Sequence, residues 1–141
     1  MRAIAVLLLL PLAGCSQPEP SCGSPVSTAA LPEWGRAGFS GDGSGVPHVL
    51  GEKGDMLAVL FGSPLRSPPG EDRANKILWV PREPAGAGAE LRIVARLDGT
   101  EVRAERTVDT GPSIVDLPRA GCWHLTLSWP GRTDTMDLIY E

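Results

Sequence analysis

The sequence predicts an all-β domain, an antiparallel sandwich of seven or eight short strands with an immunoglobulin-like layout. Two hairpin-like segments with alternating apolar and polar residues carry that prediction. Composition supports it: 17 Gly and 14 Pro in 141 residues suit frequent turns better than helices. No stretch sustains a helical period, and Leu31–Gly38 has room for one turn at most.

The first hairpin is Leu91 to Leu97, a turn at Asp98-Gly99, and Thr100 to Val108. Asp-Gly favours a two-residue type I′ turn, which needs positive φ at both positions. That closure sets Arg96 opposite Glu101 and Arg92 opposite Glu105 on one face, with Ala95 against Val102 and Ile93 against Ala104 on the other. Opposite charges outside and apolar groups inside are what a half-buried antiparallel pair requires. The second hairpin joins Cys122–Trp129 to Asp134–Tyr140 across a four-residue loop, Pro130-Gly131-Arg132-Thr133. It sets Leu127 opposite Met136, Leu125 opposite Leu138 and Trp123 opposite Tyr140, leaving His124, Thr126 and Asp137 on the alternate face. Pro118-Arg119-Ala120-Gly121 makes the corner before it. The remaining candidate strands are Val46–Leu50, Met56–Phe61, Lys76–Val80 and Ser113–Leu117. Met56–Phe61 is apolar on both faces, which predicts a central strand. Breaks at Ser63–Gly70 and Pro84–Gly88 separate these runs.

Ahead of the domain, Met1 and Arg2 give a short positive start, and Ala3–Leu10 is an unbroken apolar run. The run suits a signal-peptide core and is far short of the ~20 residues of a membrane span. Leu12-Ala13-Gly14-Cys15 resembles the bacterial lipobox. The resemblance implies cleavage before Cys15 and a diacylglyceryl thioether on its sulfur; the alternative is an ordinary secretory leader with a chance cysteine. Two or more acyl chains hold a protein firmly at a membrane, where one is marginal. The organisation expected is therefore a leader over 1–14, a lipidated cysteine and flexible tether over 15–30, and the sandwich over 31–141. Polar, Pro-containing residues 16–21 read as a semi-extended spacer. The expected location is the extracytoplasmic face of the cell membrane.

Removing Arg2 with the leader leaves 12 Lys and Arg against 17 Asp and Glu, a net charge of −5. That balance argues against nucleic acid, which needs a cationic footprint, and supplies no polybasic patch for anionic lipid. With Cys15 acylated, Cys22 and Cys122 are the two remaining thiols. Outside the membrane an even pair predicts a disulfide; the alternative is a free Cys22 beside the tether. Such a bond would close a loop of about 100 residues, worth up to ~4–5 kcal/mol if unstrained.

Leu31-Pro32-Glu33-Trp34 with Gly38-Phe39, Ala58-Val59-Leu60-Phe61-Gly62, Asn75 to Val80, Pro112 to Asp116, and Pro118 with Gly121-Cys122-Trp123 cover most of the mature chain. On these pieces the chain resembles a group of uncharacterised bacterial lipoproteins with immunoglobulin-like domains. The Pro-x-x-Gly corner also resembles the entry to the penultimate strand of many such domains. The resemblance implies fold and location and no activity, because fold alone gives none.

No cofactor is expected, and no residue set is convincing as catalytic. His48, Cys122, His124 and Met136 raise a copper site, but blue-copper sites space Cys, His and Met within one loop, and a disulfide would consume the thiol. A serine hydrolase would need His48 or His124 as base. Its candidate nucleophile, Ser44, lies in Gly41-Asp42-Gly43-Ser44-Gly45, which lacks the spacing of a nucleophile elbow and also the ligand pattern of an EF-hand. Asp134, Asp137 and Glu141 could form a carboxylate pair, although solvation of strand ends explains them equally. Trp34 and Phe39, with His124, are the candidate binding surface; the alternative for the two aromatics is to cover the open end of the sandwich. The function expected is a non-enzymatic binding module, tethered to membrane through Cys15, with an envelope protein or glycan as partner. A hydrolase using His48 or His124 is the alternative.

Overall fold

The computed structural model describes Gly14 and residues 22–141. The leader, Cys15 and the spacer therefore lie outside the described residues, apart from Gly14. Eight strands follow a single 3₁₀ turn at Glu33–Gly35: β1 His48–Leu50, β2 Met56–Leu60, β3 Lys76–Pro81, β4 Glu90–Leu97, β5 Arg103–Asp109, β6 Gly111–Ile114, β7 Gly121–Trp129 and β8 Arg132–Tyr140. They form two antiparallel four-stranded sheets, ordered β1-β2-β3-β6 and β5-β4-β7-β8. A β3–β6 pair facing two hairpins joined through β4 and β7 is the immunoglobulin-like order of a B–E pair facing C′-C-F-G. Among the described residues no helix is long and apolar enough to cross a membrane.

Alternation dictates the core. β4 buries Leu91, Ile93, Ala95 and Leu97 and exposes Arg92 and Arg96, and β7 buries Trp123, Leu125 and Leu127. Against them sheet one sets Met56, Ala58, Ile77 and Trp79. The buried polar tips are satisfied: Trp79 Nε1 donates to Ser113 Oγ (3.0 Å), Trp123 Nε1 to the Arg119 carbonyl (2.9 Å), and the Tyr140 hydroxyl to the Val115 carbonyl (2.7 Å).

β2 is buried at all five positions, as its two-sided apolar pattern predicts. Its second face is covered by the chain before β1. Leu31, Leu57 and Val59 form a second cluster, packed by Trp34, Phe39 and Val46. The two aromatics thus cover a sheet face, which differs from the alternative that they cover the open end. The reason is β2 itself: Leu57 and Val59 point away from the main core and need a lid.

Both hairpin registers are shifted by two residues from the sequence expectation. In β4–β5, Ala95 faces Ala104 and Arg96 faces Arg103, and the Leu97 amide donates to the Val102 carbonyl (2.9 Å), leaving a four-residue loop. A type I′ turn does not form because no residue other than glycine has positive φ. Asp98 is instead tied to β7, its amide donating to the Cys122 carbonyl (2.8 Å), and Thr100 Oγ1 donates to the Leu97 carbonyl (2.9 Å). In β7–β8 the error runs the other way. Leu125 faces Met136, Trp123 faces Leu138 and Trp129 faces Arg132, so the loop is only Pro130-Gly131. Proline supplies the first central φ and Gly131, at φ +73°, the second. A two-residue slip leaves each side chain on its expected face, so the core was still assigned correctly.

Candidate functional site

The two ends of the sandwich differ in chemistry. At one end, Cys22 is bonded to Cys122 at the start of β7, with Cα atoms 5.6 Å apart. Period-two alternation puts Cys122 and His124 on the outer face of β7, and the register brings Asp137 and Ile139 of β8 opposite them. Asp137 Oδ2 accepts the Gly23 amide (2.6 Å), and the Asp137 amide donates to Ser24 Oγ (2.9 Å). Ser27 then exchanges backbone hydrogen bonds with His48. Among the described residues, the domain's contacts therefore reach back to Cys22, within the stretch expected as tether.

His124 sits between two carboxylates. Its Nδ1 lies 2.6 Å from Asp137 Oδ1 and its Nε2 2.8 Å from Asp98 Oδ1. The hydrogen bond to Asp98, then that to Asp137, raises its pKa above the ordinary histidine value, against a smaller opposing effect of burial. Imidazolium donates from both nitrogens, which is the form this geometry holds. With both nitrogens committed, neither is free to take a proton from a nucleophile. The group is a cross-link joining the β4–β5 loop, β7, β8 and, through Asp137, the chain at Gly23.

At the opposite end Asp134 is fully buried. Its carboxylate accepts the amides of Lys53 (2.9 Å), Asp55 (2.9 Å), Met56 (3.1 Å) and Thr135 (2.8 Å). It thereby staples β8 of one sheet to the β1–β2 turn of the other. A Cβ on Gly51 would collide with this carboxylate, so the turn can close on it only with glycine there. Beside this end, Glu90, Arg92, Thr107, Ser128, Trp129 and Pro130 line an open groove of about 300 Å³. Trp129 Nε1 is buried and has no hydrogen-bond partner among the described residues. A buried indole N–H normally finds an acceptor.

The sequence-predicted residues do not converge. His48 is buried on β1, its Nδ1 held 2.8 Å from the Val46 carbonyl. Met136 is in the core and Cys122 is in the disulfide, so the four residues of the copper reading are dispersed over both sheets and both faces. Cys22 Sγ, Cys122 Sγ and an Asp137 oxygen lie within 4.8 Å of one another, but the sulfurs are bonded together and offer no thiolate. Ser44 hydrogen-bonds Asp42 in its own loop. Asp134 and Asp137 do not form a carboxylate pair, since one binds backbone amides and the other His124; Glu141 is exposed. Trp34 and Phe39 lie over sheet one, and His124 is on the outer face of sheet two.

Sequence reasoning missed the roles of Asp98 and Asp134. Asp98 read as a turn residue, and a buried aspartate at the start of a strand has no local signature. Asp137 was on the correct face, and a register two residues closer would have placed it against His124. Compared with known families, characterised proteins and solved structures, the chain has no significant match.

Proposed function

We propose that this protein is an exported lipoprotein, acylated on Cys15, whose β-sandwich is a non-enzymatic binding module at the outer face of the cell membrane. The leader and lipobox support the anchor. The observation that carries the reading is the Cys22–Cys122 bond. Six residues separate Cys15 from Cys22, and at ~3.3–3.6 Å per residue the acylated position lies within about 25 Å of the disulfide. The disulfide end is then held toward the bilayer, and the Asp134 end with its groove is turned outward. The groove's polar lining, Glu90, Arg92, Thr107 and Ser128, suits an envelope protein or glycan with polar groups of its own. A binding role is favoured over a hydrolase because His124 has both nitrogens committed and His48 is buried.

Cys15→Ser is expected to abolish the acyl mass on the mature N-terminus and to release the protein from the membrane fraction. A native N-terminus other than acylated Cys15 overturns the anchor. For the partner, a photocrosslinking amino acid at Arg132, beside the Pro130-Gly131 turn, is expected to capture a defined envelope component on intact membranes. Capture there no greater than from position 105, on exposed β5, counts against the outward end as the binding end.

A further inference from the structure

We infer that the disulfide end is a membrane-contact surface, whose rim of Val26, Phe61, Ile114 and Ile139 rests in the interface of a bilayer with uncharged headgroups. The inference deepens the lipid-anchor reading and rests on it.

The distribution of exposed apolar side chains comes first. Among the described residues five large hydrophobic side chains are strongly exposed, and four of them, each 49–57% exposed, lie at this end. Ile139 is opposite Cys122. Val26 is four residues after Cys22 and, with Ile139, Leu60 and Leu65, lines an apolar cleft of about 230 Å³. Phe61 follows Leu60 at the end of β2, its amide donating to the Lys76 carbonyl (3.0 Å), and Ile114 is opposite Lys76. Ile139 is thus on the outer face of sheet two and Phe61 and Ile114 on that of sheet one, so the apolar side chains flank this end on both faces. The fifth, Leu50, ends β1 beside the turn that Asp134 binds. Singly exposed apolar residues mean little, whereas their segregation to one end marks a contact surface.

The tether decides what the surface meets. Cys22, fixed by its disulfide, is itself a wall of the cleft, and with only six residues between it and Cys15 this end lies nearest the bilayer. A short tether makes weak contacts effective, because the second binding event becomes intramolecular. The side chains suit an interface. Lys76 Nζ lies 5.5 Å from the Phe61 ring centroid, and an aromatic beside a lysine with an aliphatic stem reaches from apolar depth to headgroup level. Glu141 also lines the cleft, and the mature chain carries −5, so zwitterionic lipid fits and anionic lipid does not.

An environment-sensitive fluorescent amino acid at position 139, or at position 132 on the opposite end for comparison, tests this. Each version is prepared in two forms on phosphatidylcholine–phosphatidylethanolamine vesicles. One is the native acylated chain; the other carries Cys15→Ser and is held by an N-terminal hexahistidine on nickel-chelating lipid. Brominated lipids are expected to quench position 139 severalfold more than position 132 in both forms, at a depth of roughly 5–10 Å into the headgroup region. Val26→Asp with Ile114→Asp is expected to remove that difference. Equal quenching at the two positions in the histidine-held form overturns the proposal. So does burial of position 139 by self-association without vesicles, which makes the rim a contact between copies. If the native chain is not acylated, the anchor reading falls alone, and the histidine-held form still decides the rim.

Discussion

The two ends of this sandwich are fastened by opposite means. The Asp134 end uses one desolvated carboxylate and four backbone amides, sealed beneath a turn that admits no side chain at Gly51. The Cys22 end uses a covalent bond and a partly solvated Asp98–His124–Asp137 relay. The buried staple ties sheet to sheet and belongs to the core. The exposed fastening ties the incoming chain to a finished domain. Damage to the first should therefore appear as global instability, and damage to the second as local release.

Asp134→Ala is the largest expected effect. It leaves buried amides without an acceptor, and breaking such a charged, hydrogen-bonded contact costs about 3–5 kcal/mol. That is a large share of the 5–15 kcal/mol typical of a whole domain. Urea unfolding should show the midpoint falling with the slope unchanged. Asp134→Asn keeps one acceptor oxygen but turns an NH₂ toward the amides, and should fall between the two. An alanine variant within 1 kcal/mol of the parent would show that the turn does not depend on this staple.

Replacing Cys22 and Cys122 together with serine comes next. Loop-closure entropy for a 100-residue separation sets an upper bound near ~4.7 kcal/mol, and measured losses run about 2–5 kcal/mol. The Ser27–His48 bridge survives the change, so the lower half of that range is expected. Hydrogen exchange should show the Gly23 amide, which donates to Asp137, losing protection while β2 and β7 keep theirs. Uniform loss across the sheets would mean that the two ends are not separate units.

His124 gives a smaller effect with a defined sign. Its pKa is raised in the folded protein, so the native state holds the proton more tightly than the unfolded chain. The stabilisation is complete below the unfolded value of ~6.5, declines as pH rises through the raised folded value, and is lost above it. Because the side chain is one-third exposed, screening limits the gain to about 1 kcal/mol. Stability measured from pH 5 to 9 should fall through that window in the parent and stay flat there in His124→Gln. A parent curve that rises with pH in the same window would contradict the bis-carboxylate clamp.

The same contrast between ends explains what the sequence revealed. Alternation in β4 and β7 identified Ile93, Ala95, Leu125 and Leu127 as core without any knowledge of partners, because burial on one face is written locally. The redox logic of two spare thiols identified Cys22–Cys122. Register was not legible, since Asp98-Gly99 and Pro130-Gly131 each suit loops of more than one length. The choice between them came from Asp98 reaching across to Cys122 and His124. Asp134 was illegible for a related reason: its partners are amides some 80 positions earlier, and backbone amides leave no mark in a sequence.

The smallest expected effect concerns the charges that seemed to fix the first hairpin. Arg92 and Glu105 do meet, at 3.2 Å, but across a diagonal, because Arg92 lies opposite Thr107. Both side chains are about 60% exposed, where double-mutant cycles give 0–1 kcal/mol for an ion pair. Arg92→Ala should therefore change stability by less than about 0.5 kcal/mol. The stronger form of the test is Glu105→Lys, which replaces attraction by repulsion. If burial of Ile93 and Ala95 together with the Asp98 contact to β7 sets the register, cross-strand NMR contacts should still pair Ala95 with Ala104 in that variant. A shift to the Ala95–Val102 pairing would show instead that the charges choose between two registers with identical faces.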